Sequence, residues 1–276
     1  NELNNKKNDI FNKTGKKINI VAVSAKNKNK KRSFKINKKI FYSNPLEIIK
    51  KKKIDILFEA IGLSDGISKK IVEIAIKNKI HVITPNKALI SKHGDYLSKL
   101  AEKNKVNLEF EASVGGGIPI LRTIKEGLAT NKISKVYGIL NGTSNYILSE
   151  MEATKNSFEN VLKKAQSLGY AEPGNPKLDL NGYDALAKVK ILSSLSFNSK
   201  ISNSKYLMEG IENIEYKDIE IVDQLNYRIK LLGITEIINK QLFERVHPCL
   251  VKKNTYIGNV NGVMNAVIIE GKPVGE

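Results

Sequence analysis

The 276-residue chain has one cysteine, three histidines, seven prolines and no tryptophan. A single cysteine, Cys249, excludes an intramolecular disulfide framework and points to a reducing compartment. His81, His93 and His247 are scattered and, with one cysteine, give no zinc-ligand spacing. No apolar run approaches the roughly 20 residues of a membrane span. The opening stretch NELNNKKNDIFNKTGKK lacks the apolar core of a secretory signal, so a cytoplasmic protein without a membrane role is expected. Acidic residues are scarce, 28 against 46 basic ones, which leaves a formal net charge of +18. That excess is spread over the whole chain, as in KNKNKKRSFKINKK, and is not interleaved with aromatics. Such a bias predicts nonspecific attraction to polyanions rather than a dedicated nucleic-acid reader. What is present is an ordinary globular composition, 41% hydrophobic and 27% charged.

The first half alternates short apolar runs with helical patterns. Strands are expected at Ile18–Ala25, Ile54–Ala60, Ile80–Thr84 and Val106–Ala112. Between them lie a helix over Ser64–Lys79, with Ser64 as its N-cap, and another carrying Leu89, Leu97, Leu100 and Ala101. Parallel neighbours need crossover connections, so this alternation predicts βαβ units and a parallel sheet. Ligands of such sheets sit beyond the carboxyl ends of the strands. The second half reads as a strand at Ile133–Leu140 and helices opening at Thr143, Ser157 and Tyr183. Three strands follow, RIKLLGITEII, QLFERVHPCLV and GVMNAVIIEGKPV, close enough for an antiparallel or mixed sheet. The fold class is therefore α/β. An incomplete doubly wound domain over 1–118 is followed by an α+β domain with a mixed sheet over 119–276.

Three clusters stand out, the first two directly after expected strands. Thr84-Pro85-Asn86-Lys87 sets Lys87 at the start of a helix on the sheet rim, although a surface lysine is the plainer reading. Glu111 to Pro119 holds Gly115, Gly116 and Gly117, a loop that can offer N–H groups to an anion or carbonyls to a cation, or simply turn between domains. The third runs from Gly169, a C′ residue after a helix, through Glu172 and Asp179 to Asp184 and Lys188. Asp184 and Lys188 are four apart and share a helix face. They read either as a solvated ion pair or as carboxylates converging on one ammonium, which would hold it charged and oriented. Asn141 to Tyr146 reads as a helix start capped by Thr143 or Ser144.

Together, TPNKALISKHG, FEASVGGGIPI, GILNGTSNYILSEM and LGYAEPGNPKLDLNGYDALAKVKIL resemble homoserine dehydrogenase in order and spacing, over most of the chain. The resemblance implies an enzyme that interconverts L-homoserine and L-aspartate 4-semialdehyde with NAD or NADP, in threonine, methionine and isoleucine biosynthesis. It assigns Lys188 as the catalytic proton donor and Lys87 as a second lysine beside cofactor and substrate. Glu172 and Asp184 would hold the substrate amino group, Asp179 would fix the constellation, and Gly169 lies in the substrate and cofactor loop. Gly62, in FEAIG, would pass the cofactor. The backbone carbonyls of Glu111, Val114, Gly116 and Ile118 match a sodium site, and a homodimer is implied. The sequence departs from the family in having no G-x-G-x-x-G, and EPGNPKLD is one residue longer than the expected pattern. It is expected to be an internal fragment, short of the amino-terminal βα unit and the carboxy-terminal end, that binds NAD(P) weakly alone. Other readings are a noncatalytic amino-acid binder, a basic nucleic-acid-binding protein or another amino-acid-linked dehydrogenase.

Overall fold

The computed structural model describes residues 2–32, 36–174, 176–201, 206–273 and 275. Outside them lie residues 33–35 of the lysine-rich stretch, Asn175 of EPGNPKLD and Val274 at the end of the last expected strand. Two short helices, α1 (Glu2–Asn5) and α2 (Lys7–Thr14), precede a small parallel pair, β1 (Val23–Ser24) and β2 (Phe41–Tyr42). Helix α3 (Leu46–Lys51) leads to a three-stranded parallel sheet of β3 (Ile56–Phe58), β4 (His81–Ile83) and β5 (Leu108–Glu109), linked by α4 (Ile67–Lys77) and α5 (Lys87–Asn104). A short helix α6 (Ile120–Arg122) follows, running on into a π turn at Thr123–Gly127. A mixed sheet then takes over, built from β6 (Lys132–Ile139), β7 (Leu207–Met208), β8 (Tyr227–Ile238), β9 (Gln241–Lys252) and β10 (Ala266–Lys272) in the order β10-β6-β8-β9-β7. Among the described residues of this sheet, β7 pairs with β9 in parallel and the other pairings are antiparallel. Helices α7 (Gly142–Thr154), α8 (Phe158–Ser167), α9 (Lys177–Leu180), α10 (Tyr183–Phe197) and α11 (Tyr216–Gln224) complete the second half. This is the expected α/β architecture, a parallel part followed by a mixed-sheet part. Among the described residues, no helix is long and apolar enough to cross a membrane.

The parallel sheet obeys the period-2 rule. Leu57 and Val82 are buried against Ile71, Val72, Ile76, Leu89 and Leu97 of α4 and α5, while Ile56, Phe58 and Ile83 point out on the other face. In the mixed sheet, β8 and β9 pair without a break from Tyr227↔Lys252 to Ile238↔Gln241. Asn239 and Lys240 between them both have positive φ, the requirement of a two-residue hairpin turn that follows strand twist. One face of this sheet lies under α10. There a Cβ on Gly233 would sit 2.6 Å from Val189 and 2.7 Å from Leu140, so glycine is what lets the helix approach. On the opposite face Ile139, Leu232, Ile234, Ala266 and Ile268 pack with Ile257 and Val260. At the end of that face Lys230, 1% exposed, donates to Asn145 Oδ1, Ser149 Oγ, Val260 O and Asn261 Oδ1, tying α7 to the segment at 260–261. Burial pushes its ammonium down to about 8.

Four expectations are corrected. The strand over Ile18–Ala25 forms only at Val23–Ser24, because its parallel partner is two residues long, and Ile18, Ile20 and Val21 stay exposed. Ser64 does not cap the following helix. Its hydroxyl turns to Asp65 Oδ2, and Gly66, with φ of 64°, opens α4. Neither Thr143 nor Ser144 caps α7: Asn141 does, accepting from Ser144 N at 2.8 Å. The strand over Val106–Ala112 narrows to Leu108–Glu109, and residues 111–113 turn into a 3₁₀ step. There the Glu111 carboxylate caps the next helix through Leu121 N and Arg122 N, both at 2.9 Å.

Candidate active site

The carboxyl ends of β3, β4 and β5 deliver three loops to one rim of the parallel sheet. Leaving β3, Glu59 is a fully buried carboxylate that accepts from Ile61 N at 2.8 Å and Thr84 Oγ1 at 2.6 Å. Asn86 donates to both its oxygens at 3.3–3.4 Å and to Leu63 O at 2.9 Å. The loop after β3, which carries Gly62, is thereby pinned to the loop after β4. The other end of the Asn86 side chain accepts from Leu89 N at 3.1 Å and caps α5. Lys87 is the first residue of that helix, so its direction is set by this buried network.

From the second half, α10 brings its first turn to the same place. Gly182, with φ of 89°, ends the α9 segment and starts α10, putting Asp184 near the helix N-terminus, where the macrodipole favours a negative charge. Asp184 is 7% exposed. Its Oδ1 pairs with Lys87 across the two halves, and its Oδ2 receives Lys188 Nζ at 2.7 Å. Lys188 Nζ also donates to the carbonyl of Leu140, at 2.5 Å, where β6 runs out. Burial opposes the charge of Asp184, but the attraction and hydrogen bonds of Lys188 and Lys87 outweigh it and hold the carboxyl below its ordinary value. Asp179 goes the other way. Burial raises it, a hydrogen bond from Asn141 partly offsets this, and the charge on Asp184 adds to the rise.

The structure thus gathers Lys87, Asp179, Asp184 and Lys188 around the elbow between β6 and α7. The loop after α8 is fastened to the same elbow. Thr143 Oγ1 donates to Tyr170 O at 2.6 Å, and the Tyr146 and Tyr170 rings lie 4.9 Å apart. Gly169 follows α8 with φ of 77° and open space where a Cβ would be, as its C′ placement requires. Glu172, further along that loop, is exposed, and among the described residues its backbone carbonyl is tied to Gln166 Nε2 at 3.2 Å. Its carboxylate is therefore not drawn into the cluster.

Gly62 has φ of 90° and nothing within 4 Å of a Cβ position, so the backbone there faces open space. The loop of Glu111, Val114, Gly116 and Ile118 turns at Gly115, with φ of 58°. In it the carbonyls of Glu111 and Ile118 already accept from Val114 N and Ile120 N, at 3.3 and 2.8 Å, and each keeps a second lone pair. Among the described residues, no group of three His, Cys, Asp or Glu side chains could hold a metal ion, so a cation here would rest on carbonyl oxygen.

The sequence model of homoserine dehydrogenase matches residues 119–276, and that of the homoserine dehydrogenase NAD-binding domain matches residues 2–111. The chain belongs to the homoserine dehydrogenase family. A homoserine dehydrogenase of Neisseria gonorrhoeae is 42% identical over 97% of this chain and 61% of its own length. One of Pseudomonas aeruginosa is 39% identical over 100% and 62% respectively. The crystal structure of a homoserine dehydrogenase from Thiobacillus denitrificans, 37% identical, superposes with a TM-score of 0.92 over 99% of this chain and 63% of that one. The chain therefore spans a little over three fifths of the length of these family members. Three groups in or behind the cluster carry no assignment in the sequence. The Leu140 carbonyl carries no side-chain signal. Glu59 lies within the expected strand Ile54–Ala60, and Asn141 precedes two residues that cap equally well on paper; a polar residue directly after a buried strand is the available signal.

Proposed function

We propose that this chain carries the catalytic machinery of a homoserine dehydrogenase, interconverting L-homoserine and L-aspartate 4-semialdehyde with NAD or NADP. One observation carries the reading. Asp184, deep in the junction of the two halves, holds Lys188 and Lys87 side by side at the carboxyl rim of the parallel sheet. In reduction a proton must reach the carbonyl oxygen as the carbon receives hydride. Lys188 supplies it: an ammonium fixed between Asp184 and the Leu140 carbonyl stabilises developing alkoxide charge and donates the proton. Lys87 faces the same space from the sheet side and orients substrate against cofactor. Asp179 fixes the constellation. Asp184 and Glu172 receive the substrate ammonium, Glu172 by turning inward from its exposed loop.

For the cofactor, the open Gly62 turn and the backbone at Gly169 suit a flat ring and its phosphates, with Lys87 beside them. The nicotinamide, when bound, supplies the hydride. The carbonyls of Glu111, Val114, Gly116 and Ile118 would hold a sodium ion, bracing the loop that joins the two halves. We place the domain boundary between 118 and 119, in line with the family matches. A cytoplasmic homodimer fits the reading, with the face of the mixed sheet opposite α10 toward a second copy. Steady-state oxidation of NADPH with L-aspartate 4-semialdehyde, at saturating cofactor, tests the activity. Turnover is expected, and binding of L-homoserine without turnover would leave a noncatalytic amino-acid binder.

A further inference from the structure

The N-cap role of Asn141 accounts for only half of its side chain. Its Oδ1 is taken by Ser144 N at 2.8 Å. Its Nδ2 donates to Asp179 Oδ1 at 2.8 Å and to Asp184 Oδ2 at 3.0 Å. The residue is 5% exposed. Serine, threonine or aspartate would cap a helix as well. Only a side-chain amide combines an acceptor for the cap with two N–H donors for two carboxylates. The cap also fixes the orientation of that amide: flipped, it would turn an oxygen toward both carboxylates and an NH₂ toward the Ser144 N–H. We propose that Asn141 is a positioning residue that holds Asp179 and Asp184 apart in role, one amide proton on each, so that Asp184 stays free to clamp both lysines.

The surroundings agree. Around the two carboxylates stand Lys87 from α5, Lys188 from α10, Leu140 O from the end of β6, and Ser144 of α7, whose hydroxyl donates to the Asp179 backbone carbonyl at 2.9 Å. Both lysines face Asp184, and the side-chain hydrogen bond that opposes protonation of Asp179 comes from Asn141. Without the amide, two carboxylates would face each other and compete for the same ammonium groups. Asp179 would then take up a proton more readily.

The inference rests on the proposed activity for its consequence in turnover, but its structural core is measured without any reaction. In Asn141→Ser the cap is kept and the two amide N–H donors give way to one hydroxyl on a shorter side chain; in Asn141→Asp the cap is kept and a third carboxylate is added. Carbon-13 NMR titration of aspartate-labelled protein follows the carboxyl groups, with Asp179 identified by its loss in Asp179→Asn. The Asp179 midpoint is expected to move to higher pH in Asn141→Ser and further in Asn141→Asp, with the melting temperature of Asn141→Ser near that of the parent. The acidic limb of the kcat profile should move the same way, with KM for NADPH unchanged. Unmoved Asp179 titration in both variants overturns the proposal. If the parent shows no turnover, the proposed activity fails while the titration still decides the role of Asn141.

Discussion

Asp184 takes an ammonium group from two directions: from Lys188, one turn further along its own helix, and from Lys87, on an element nearly a hundred residues earlier. Lys188 is largely covered, whereas Lys87 is about half exposed, so screening reduces the second contact and the first dominates. Removing one partner of a buried pair leaves an uncompensated charge, at a cost of about 3–5 kcal/mol. Asp184→Asn is therefore expected to destabilise the chain at neutral pH by an amount toward the lower end of that range, read from denaturant unfolding. Its folded pKa lies below the ordinary value, so the charge stabilises above the unfolded pKa, and that contribution is lost as pH falls through the folded one. The gap between Asp184→Asn and the parent should close in acid; a gap independent of pH would assign the loss to packing. Lys230 has the same sign of linkage from the opposite cause, since burial disfavours its charge. Its folded value of about 8 lies below the ordinary 10.5, so the unfolded chain binds the extra proton between those limits. The parent should gain stability relative to Lys230→Met as pH rises from about 8 to 10.5. A constant difference across that range would show that Lys230 keeps its proton throughout.

At the level of elements, the close approaches are as telling as the contacts. A Cβ on Gly138, in β6, would stand 2.1 Å from Ala266 O and 2.9 Å from Val267 Cα, backbone atoms that cannot rotate away. Gly138→Ala is expected to force β10 from β6 and destabilise by about 1–3 kcal/mol, seen as a lower melting temperature; an unchanged one would mean that β10 is free to shift. How far such features could be read in advance differs along the chain. The long strands β8 and β9 and helix α10 stand where their apolar patterns put them, because each buries its own face. Ile18–Ala25 is as apolar, yet forms two residues of strand, since a strand needs a partner and the sequence does not show that Phe41–Tyr42 is so short. In the cluster, Asp184 and Lys188 were legible through helical spacing. Lys87 could be placed at a strand end, but its meeting with Asp184 depends on how α5 lies against α10, which no local pattern encodes. Asn141 stayed hidden because the neighbouring Thr143 and Ser144 are equally good caps on paper.

Across the whole molecule, the two halves meet where chemistry is proposed. The parallel sheet contributes the Glu59–Asn86–Lys87 network, and the mixed-sheet half contributes Asn141, Asp179, Asp184 and Lys188. Neither half holds the cluster alone, so anything that loosens their packing should weaken it. The +18 charge is incidental to this junction, where Asp179 and Asp184 stand beside Lys87 and Lys188. The measurement that bears most directly on the central claim is the NADPH-dependent reduction of L-aspartate 4-semialdehyde by the parent and by Lys188→Ala, with NADPH affinity followed in parallel. Loss of a positioned proton donor predicts a fall in kcat of about 10²–10⁴ at nearly constant cofactor affinity; equal turnover in the two proteins would contradict the account.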